Sequence, residues 1–436
     1  MIKKFFLFCI IDSFLLFTSC SKNEDNIDST EPGRETIILA RPASVEDWYF
    51  NKYQERKSNE IINNFNSTND KYFIQERPYE TSDKFLLDII SGQQFDLLYV
   101  GDWLNITPLY GKKMLCDIYE LIDQDSDTSR DEYVGSVLNS LEINGKLYQM
   151  PYDFIVQSTV AKTELWGNDN DNSFEHILEK SEQLGCDMPF DFSVYSYSFI
   201  PFISSEFIDF ENGTCCFDDG RFEEILVLMK KYNDIYGNVS QNYPNGALDL
   251  FKENKVLMMS SEFAGFHQID YITWEAGDRV KYVGFPSDTS NYHIAVPIVS
   301  FSISESSDKK QGAFEFIKYY TSYNSYIYDT QTTDGVTQST MCIPINRAAV
   351  EYLADHSIDE YLNFYKFDEK TRTENRDDIL NQIYTVNGAN NPVGNIAKDI
   401  LSEEIQPYLD GRKNAAEVCD TIQNRLTTYF DEQWDQ

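Results

Sequence analysis

Residues 81–103 read TSDKFLLDIISGQQFDLLYVGDW, and their pattern decides the fold. Thr81 or Ser82 supplies an N-cap hydroxyl, and Asp83 sits in the first turn, where a carboxylate meets the positive end of the helix. Phe85, Leu86, Ile89 and Ile90 recur at helical spacing and make one apolar face. Gly92 ends that helix, because glycine takes the left-handed backbone of a C-terminal cap at little cost. Phe95 to Val100 is then a short apolar run broken only by Asp96, the pattern of a strand buried on both faces. Gly101-Asp102-Trp103 falls at the carboxyl end of that strand, where open α/β sheets receive their ligands. A small turn residue, a hydrogen-bonding carboxylate and a large flat ring are what recognition of a neutral polar ligand needs.

Upstream, Glu35–Arg41 reads as a first strand with Pro42–Trp48 as its following loop, Tyr49–Phe65 as a helix, and Tyr72–Arg77 as a second strand. Strand, helix, strand, helix, strand is the alternation of a doubly wound parallel sheet. Downstream, Leu115–Ile122 and Asp131–Leu141 are expected helices. Asn144-Gly145 marks a tight turn, Leu147–Met150 a short strand, and Pro151 is expected to stop regular structure where the chain crosses between two lobes. Gln157–Ala161, Lys255–Ser260, Val280–Phe285 and Ile294–Ile303 read as strands. Phe174–Leu184 (capped by Ser173), Arg221–Tyr236, Ala247–Glu253, Asp308–Tyr320, Asn346–Leu353, Asn395–Tyr408 and Ala415–Trp434 read as helices.

At 436 residues the chain exceeds one ordinary core, so two domains are the default. Lys3-Lys4, an apolar run from Phe5 to Phe17, and Thr18-Ser19 before Cys20 make a leader too short for a membrane-spanning helix, which needs about 20 apolar residues. Small residues directly before a cysteine resemble the lipobox of bacterial lipoproteins, so residues 1–19 are expected to be a signal peptide and Cys20 the lipidated residue. Residues 20–34 then form a polar tether. With 36 basic and 72 acidic residues the formal net charge is −36, a surface that repels nucleic acid and excludes that partner class. The same field favours a neutral or cationic ligand.

Four histidines, His176, His267, His293 and His356, include no pair at metal-ligand spacing, and neither metal nor cofactor is expected. Beyond the leader, Cys116, Cys186, Cys215, Cys216, Cys342 and Cys419 show no CxxC spacing, and the adjacent Cys215-Cys216 reads as a packed pair. Asp123-Gln124-Asp125-Ser126-Asp127 has the opening spacing of a calcium loop. Thr128 and Val134 stand where its glycine and glutamate belong, so a solvated acidic loop is expected.

The order of these pieces resembles the extracellular solute-binding lipoproteins of ABC importers, the maltodextrin-binding-like group, over about Glu35–Asp435. The resemblance is carried by Asp88-Ile89-x-Ser91-Gly92-x₂-Phe95-Asp96, Leu115-Cys116-Asp117-Ile118, Gly145-Lys146-Leu147-Tyr148-x₂-Pro151, Asn254-Lys255-Val256-x-Met258, Val283-Gly284-Phe285-Pro286 and Gly312-Ala313-Phe314-Glu315-Phe316-Ile317. It implies an α/β, two-lobe, periplasmic-binding-protein-like fold. Each lobe is a mainly parallel sheet flanked by helices, with three interlobe crossovers near Met150–Pro151, Pro286–Asn291 and Met341–Pro344. The first lobe would be 35–150 plus 292–341, and the second 151–291 plus 342–436. The implied role is a lipid-anchored, extracytoplasmic monomer that captures a carbohydrate in the interlobe cleft and delivers it to ABC permease subunits, without catalysis.

Sugar recognition sets flat rings against C–H faces and carboxylates or amides against hydroxyls, and a chain with 29 Tyr and 5 Trp has rings to spare for both site and core. Asp102 and Trp103 lead the candidates on position. Arg41, Glu46, Asp47 and Trp48 follow the first strand, where the family places polar contacts. Tyr152 and Asp153 follow the crossover proline, and Glu262, Phe263 and Phe266 the strand Lys255–Ser260. Tyr195 and Tyr197 are weaker choices, and Asn387, Asn390 and Asn391 lie in a loop ahead of the closing helices. Ile155 stands where some sugar-binding relatives carry a carboxylate, which speaks against a maltodextrin specificity. Three other readings stay open at this point: a peptide or polyamine as ligand, a ligand-presenting sensor on the same fold, and a surface glycoside hydrolase with paired carboxylates.

Overall fold

A computed structural model describes residues 32–42, 49–79, 82–101, 104, 106–191, 206–209, 212–239, 246–266, 268–287, 292–330, 342–356, 367–389 and 392–434. In it, residues 82–101 fold as their pattern dictates. Ser82–Ile90 is a helix, and Gly92 takes φ +100° while donating its amide to the Ile89 carbonyl at 3.0 Å. The apolar run follows as a strand with Leu97, Leu98 and Val100 buried. Asp96, its lone charge, is 7% exposed. Its carboxylate accepts the Ile38 amide at 2.8 Å and the Ser307 hydroxyl at 2.6 Å, and lies 3.5 Å from the Lys309 ammonium. A carboxylate remains buried only where donors of this kind replace water.

The strands are β1 Glu35–Pro42, β2 Tyr72–Tyr79, β3 Leu97–Gly101, β4 Met150–Lys162, β5 Met188–Phe190, β6 Ile208–Asp209, β7 Thr214–Cys215, β8 Val256–Phe263, β9 Val280–Tyr282, β10 Ile294–Ile303, β11 Ile343–Pro344 and β12 Gly388–Ala389. All but the β6–β7 hairpin belong to one sheet of order β2-β1-β3-β10-β4-β8-β5, with β9 and β11 on β4 and β12 on β10. β1 is parallel to β2 and β3, and β5 to β8, as the strand–helix alternation predicts. β10 is antiparallel to both β3 and β4, and β4 to β8. The β2-β1-β3 end and the β8-β5 end are the two halves of this sheet, and β10 and β4 lie between them. At about 3.3 Å per residue β4 is about 43 Å long, enough to run from one lobe into the other.

The core is aromatic where the lobes meet. Tyr152 stacks on Tyr326 (4.4 Å, 8°) and meets Tyr320 edge-on at 4.6 Å. Tyr320 in turn packs on Phe301 and Phe316. Such pairs add about 0.5–1.5 kcal/mol each beyond the area they bury.

Several local expectations are corrected. Pro151 does not stop regular structure: it is the second residue of β4, paired with Ser300 beside a register shift of the β4–β10 ladder between Val299 and Ser300, the kind of irregular place where a strand tolerates proline. Leu147–Gln149 is not strand. Asp131–Leu141 is not one helix but a short turn at Arg130–Glu132 and a helix at Gly135–Ser140. The break comes where Tyr133 bridges to Asn346 and the Val134 amide donates to the Ile345 carbonyl at 2.9 Å, a tertiary pairing that local pattern does not carry. The helices Gln268–Ala276, Tyr323–Thr330 and Glu369–Tyr384 were not anticipated. Asn144-Gly145 makes the expected tight turn, with φ +54° and +70°, and Phe174–Leu184, Ile294–Ile303 and Ala415–Trp434 form within the residues read for them.

Candidate functional site

The registers bring five strand ends to one place. β3 ends at Gly101 opposite Val299 of β10, while β8 ends at Phe263 opposite Val156 of β4, and Val156 faces Ala295. The part of β10 from Ala295 to Val299 therefore spans the interval between the two lobes' sheet ends, about 13 Å at the usual strand rise. β1 and β2 end side by side at Pro42 and Tyr79 on the β3 side. β12 ends at Ala389 opposite Ala295, also heading into the interval. Carboxyl ends of strands from the two halves of the sheet thus run towards the same short stretch of β4 and β10. That is the place where open α/β sheets take ligands.

The floor has two faces with different duties. Tyr152, Phe154 and Val156 of β4 are 0% exposed, the Tyr152 ring packing on Tyr320 and Tyr326. Asp153, Ile155 and Gln157 alternate onto the other face. Ile155 alone in β4 and Ile298 alone in β10 are not fully buried. Ile155 pairs with Val296, and the register shifts between Pro297 and Val299, so Ile298 is the extra residue of a bulge. Asp153 serves that bulge, its Oδ1 accepting the Val299 amide at 3.2 Å. At the rim, Gln157 Nε2 donates to Glu262 at 3.4 Å, and Glu262 is exposed.

The described candidates from the sequence divide accordingly. Glu262 and Asp153 lie on the face of the floor that carries Ile155. Arg41 stands at the end of β1, held by Glu76 at 2.8 Å and by the Asn59 side-chain oxygen at 2.8 Å. Tyr152 and Phe263 are corrected: both rings are 0% exposed and serve the core, Phe263 packing on Tyr282 at 4.7 Å. β8 runs on to Phe263 instead of ending at Ser260, which draws Glu262 and Phe263 out of the expected loop and into the ladder. Phe266 is 9% exposed and also packs inward. Glu46, Asp47, Trp48, Asp102, Trp103, Tyr195, Tyr197, Asn390, Asn391 and Cys20 lie outside the described residues.

A buried polar cluster fixes the upper edge of this floor, and sequence reasoning missed most of it. His293 is 2% exposed, with Nδ1 2.9 Å from the Ser158 hydroxyl. Its amide donates to the Asn387 side-chain oxygen at 3.0 Å, and its carbonyl accepts the Asn387 amide at 3.2 Å. Burial pushes the imidazole down to about 4, so it is neutral at ordinary pH. The cluster pins β12 to β10. Its signals in the sequence were a histidine next to a predicted strand and Asn387, read as a loop residue and in fact bound to the backbone of His293.

Elsewhere, Asp123 is held by Arg130 at 2.6 Å and Asp125 by Lys318 at 2.7 Å, so the acidic loop is engaged in ion pairs. No cluster of His, Cys, Asp and Glu that would hold a metal occurs among the described residues. A separate concavity of about 590 Å³ is bounded by Tyr133, Tyr323 and Asn346. Its two cations are already paired, Lys318 with Glu315 at 2.9 Å and Arg347 with Glu351 at 3.4 Å. It is not where the strand ends converge.

Strand ends from both halves of one sheet, converging on the two strands between them, are the arrangement in which open α/β folds take a ligand. The sequence profile of the family described as bacterial extracellular solute-binding protein matches residues 60–346. The chain belongs to that family. No curated protein sequence matches it. Among solved structures it is similar to the sugar-binding protein MalE from Xanthomonas citri, at 12% identity and TM-score 0.58, over 91% of this chain and 98% of that one. It is also similar to the cyclic alpha-maltosyl-1,6-maltose binding protein from Arthrobacter globiformis, at 11% identity and TM-score 0.54, over 92% and 100%. A third is the substrate-binding protein of an ABC system from Listeria monocytogenes, solved with cycloalternan, at 14% identity and TM-score 0.51, over 91% and 99%. No helix among the described residues is long and apolar enough to cross a membrane.

Proposed function

We propose that this protein is the lipid-anchored substrate-binding component of an ABC importer, taking a sugar or oligosaccharide into the interlobe cleft and delivering it to a membrane permease. The observation that carries this reading is the convergence of strand ends from both lobes on a floor of two shared strands. The sugars named for its structural neighbours support the ligand class. The lobes would be 35–150 plus 292–341 and 151–291 plus 342–436, closing as hinged bodies about β4 and β10. Arg41 and Glu262 would contribute polar contacts, with Glu46, Asp47, Trp48, Asp102, Trp103 and Asn390 from the loops that follow the converging strands, while Asp153, buried and bound to the Val299 amide, serves the floor's own structure. The protein acts as a monomer, tethered outside the membrane through Cys20, and breaks no bond in its ligand.

The test is the melting temperature of the protein lacking residues 1–34 against mono- and oligosaccharides, peptides and polyamines. A ligand at about 100 times its Kd adds about 2.7 kcal/mol. Stabilisation by a saccharide, with the saccharide recovered intact, is the expected result. Stabilisation only by amines or peptides replaces the ligand class, and hydrolysis of the saccharide overturns the non-catalytic role.

A further inference from the structure

We infer that Ile155 and Ile298 select the ligand by offering the cleft floor no hydrogen-bond partner, so that a neutral saccharide lies there with a C–H ring face pressed down. This rests on the sugar-binding reading above. Each residue is the one position of its strand that is not fully buried, and both strands are shared by the lobes. Ile155 is paired with Val296, so the ground around it is apolar as well. The nearest carboxylate along the strand, Asp153, is 3% exposed and turned to the Val299 amide. The polar groups begin at the rim, where Gln157 meets the exposed Glu262.

A hydroxyl or ammonium set on this floor gives up its water and gains nothing in return, while the C–H face of a pyranose gives up nothing. The floor therefore rejects cations and favours a ring with one face clear of axial hydroxyls, its hydroxyl edge turned towards Glu262 and Gln157. The overall negative charge of the chain draws cations to the surface in general. Discrimination against them has to be made locally, and an apolar floor makes it.

The experiment is calorimetric titration of the purified protein with glucose, cellobiose, maltotriose, mannobiose and spermidine, repeated with Ile155→Thr, Ile298→Thr and Ile155→Val. Wild type is expected to bind at least one sugar and not spermidine. Ile155→Thr and Ile298→Thr are each expected to weaken that sugar about 10- to 100-fold, and Ile155→Val by less than about tenfold. Melting of each variant without ligand separates lost contact from lost fold, and Ile155→Val keeps the floor apolar if a threonine variant folds poorly. Threonine variants that bind the sugar within about twofold of wild type overturn the floor assignment and leave the sugar reading standing. A wild type that binds spermidine and no sugar overturns the sugar reading itself, and this inference with it.

Discussion

Asp96 interrupts an apolar run that would otherwise read as plain buried strand, and three donors account for it. The Ile38 amide belongs to β1, while Ser307 and Lys309 lie between β10 and the helix Lys310–Tyr320, so one carboxylate joins three separate segments. Replacing Asp96 by Ala leaves the half-buried Ile38 amide and Ser307 hydroxyl without this acceptor, and is expected to lower stability by about 1–3 kcal/mol in urea unfolding. An Asp96→Ala protein within about 0.5 kcal/mol of wild type refutes the joint. His293 gives a pH-dependent counterpart. Its folded-state value near 4 lies below the ordinary histidine value, so as pH falls from about 6.5 to about 4 the unfolded chain takes up a proton that the folded one refuses. That favours unfolding, by up to about 3 kcal/mol at the acid end of the window. Stability measured across that window should fall less steeply in His293→Gln than in wild type, and parallel profiles would mean that His293 is not the group responsible. In the sequence both residues show only as a charge or a histidine out of keeping with its strand; which donors answer them depends on partners 135 and 211 positions away.

Elements were legible wherever one periodicity persists. The amphipathic face of Arg221–Val239, the cap at Ser173 and the two-residue turn at Asn144-Gly145 all follow from local pattern. Asp117 is not expected as a cap, the predicted helix starting at Leu115, yet its Oδ1 caps Ile118–Gln124 by accepting the Tyr119 amide at 3.1 Å. It also accepts the Leu147 amide at 3.1 Å, tying that helix to the chain about to enter β4. Asp117→Ala is expected to cost about 1–2 kcal/mol, read as a lower melting temperature, with Asp117→Asn retaining most of it. The site was less legible, and the reason is register. Tyr152, Phe154 and Val156 alternate with Asp153, Ile155 and Gln157, a period of two that assigns Tyr152 to the inner face. Reading Pro151 as a stop hid that alternation and made Tyr152 look like a loop residue. The same error of length at Ser260 put Phe263 in a loop, whereas β8 carries it to a buried position opposite Val156. Where a strand ends decides which side chains are core and which are site, and strand ends are set by partners distant in sequence.

At the scale of the whole molecule the two shared strands impose a mechanical expectation. β4 is about 43 Å long at the usual rise, and every residue of it but Ile155 is buried. Relative movement of the lobes therefore has to be absorbed in the short interval where β4 and β10 are paired with neither β3 nor β8, close to the bulge at Ile298. A ligand lying on that interval and touching the rim on both sides gains contacts only as the lobes approach, so it shifts the population towards the closed form in proportion to that difference in affinity. Small-angle X-ray scattering is expected to give a smaller radius of gyration with a saturating sugar than without. The same sugar at about 100 times its Kd should raise the melting temperature by a few degrees. A sugar that stabilises the protein but leaves the radius unchanged would be held by one lobe alone, and closure about β4 and β10 would be refuted. Bulge and floor coincide at Ile298, so Ile298→Thr should weaken binding and reduce the compaction at equal sugar concentration, and saturating sugar should restore the compaction. If compaction is lost even at saturation, the bulge governs movement independently of the ligand contact, and binding and closure are then separable properties of the same residue.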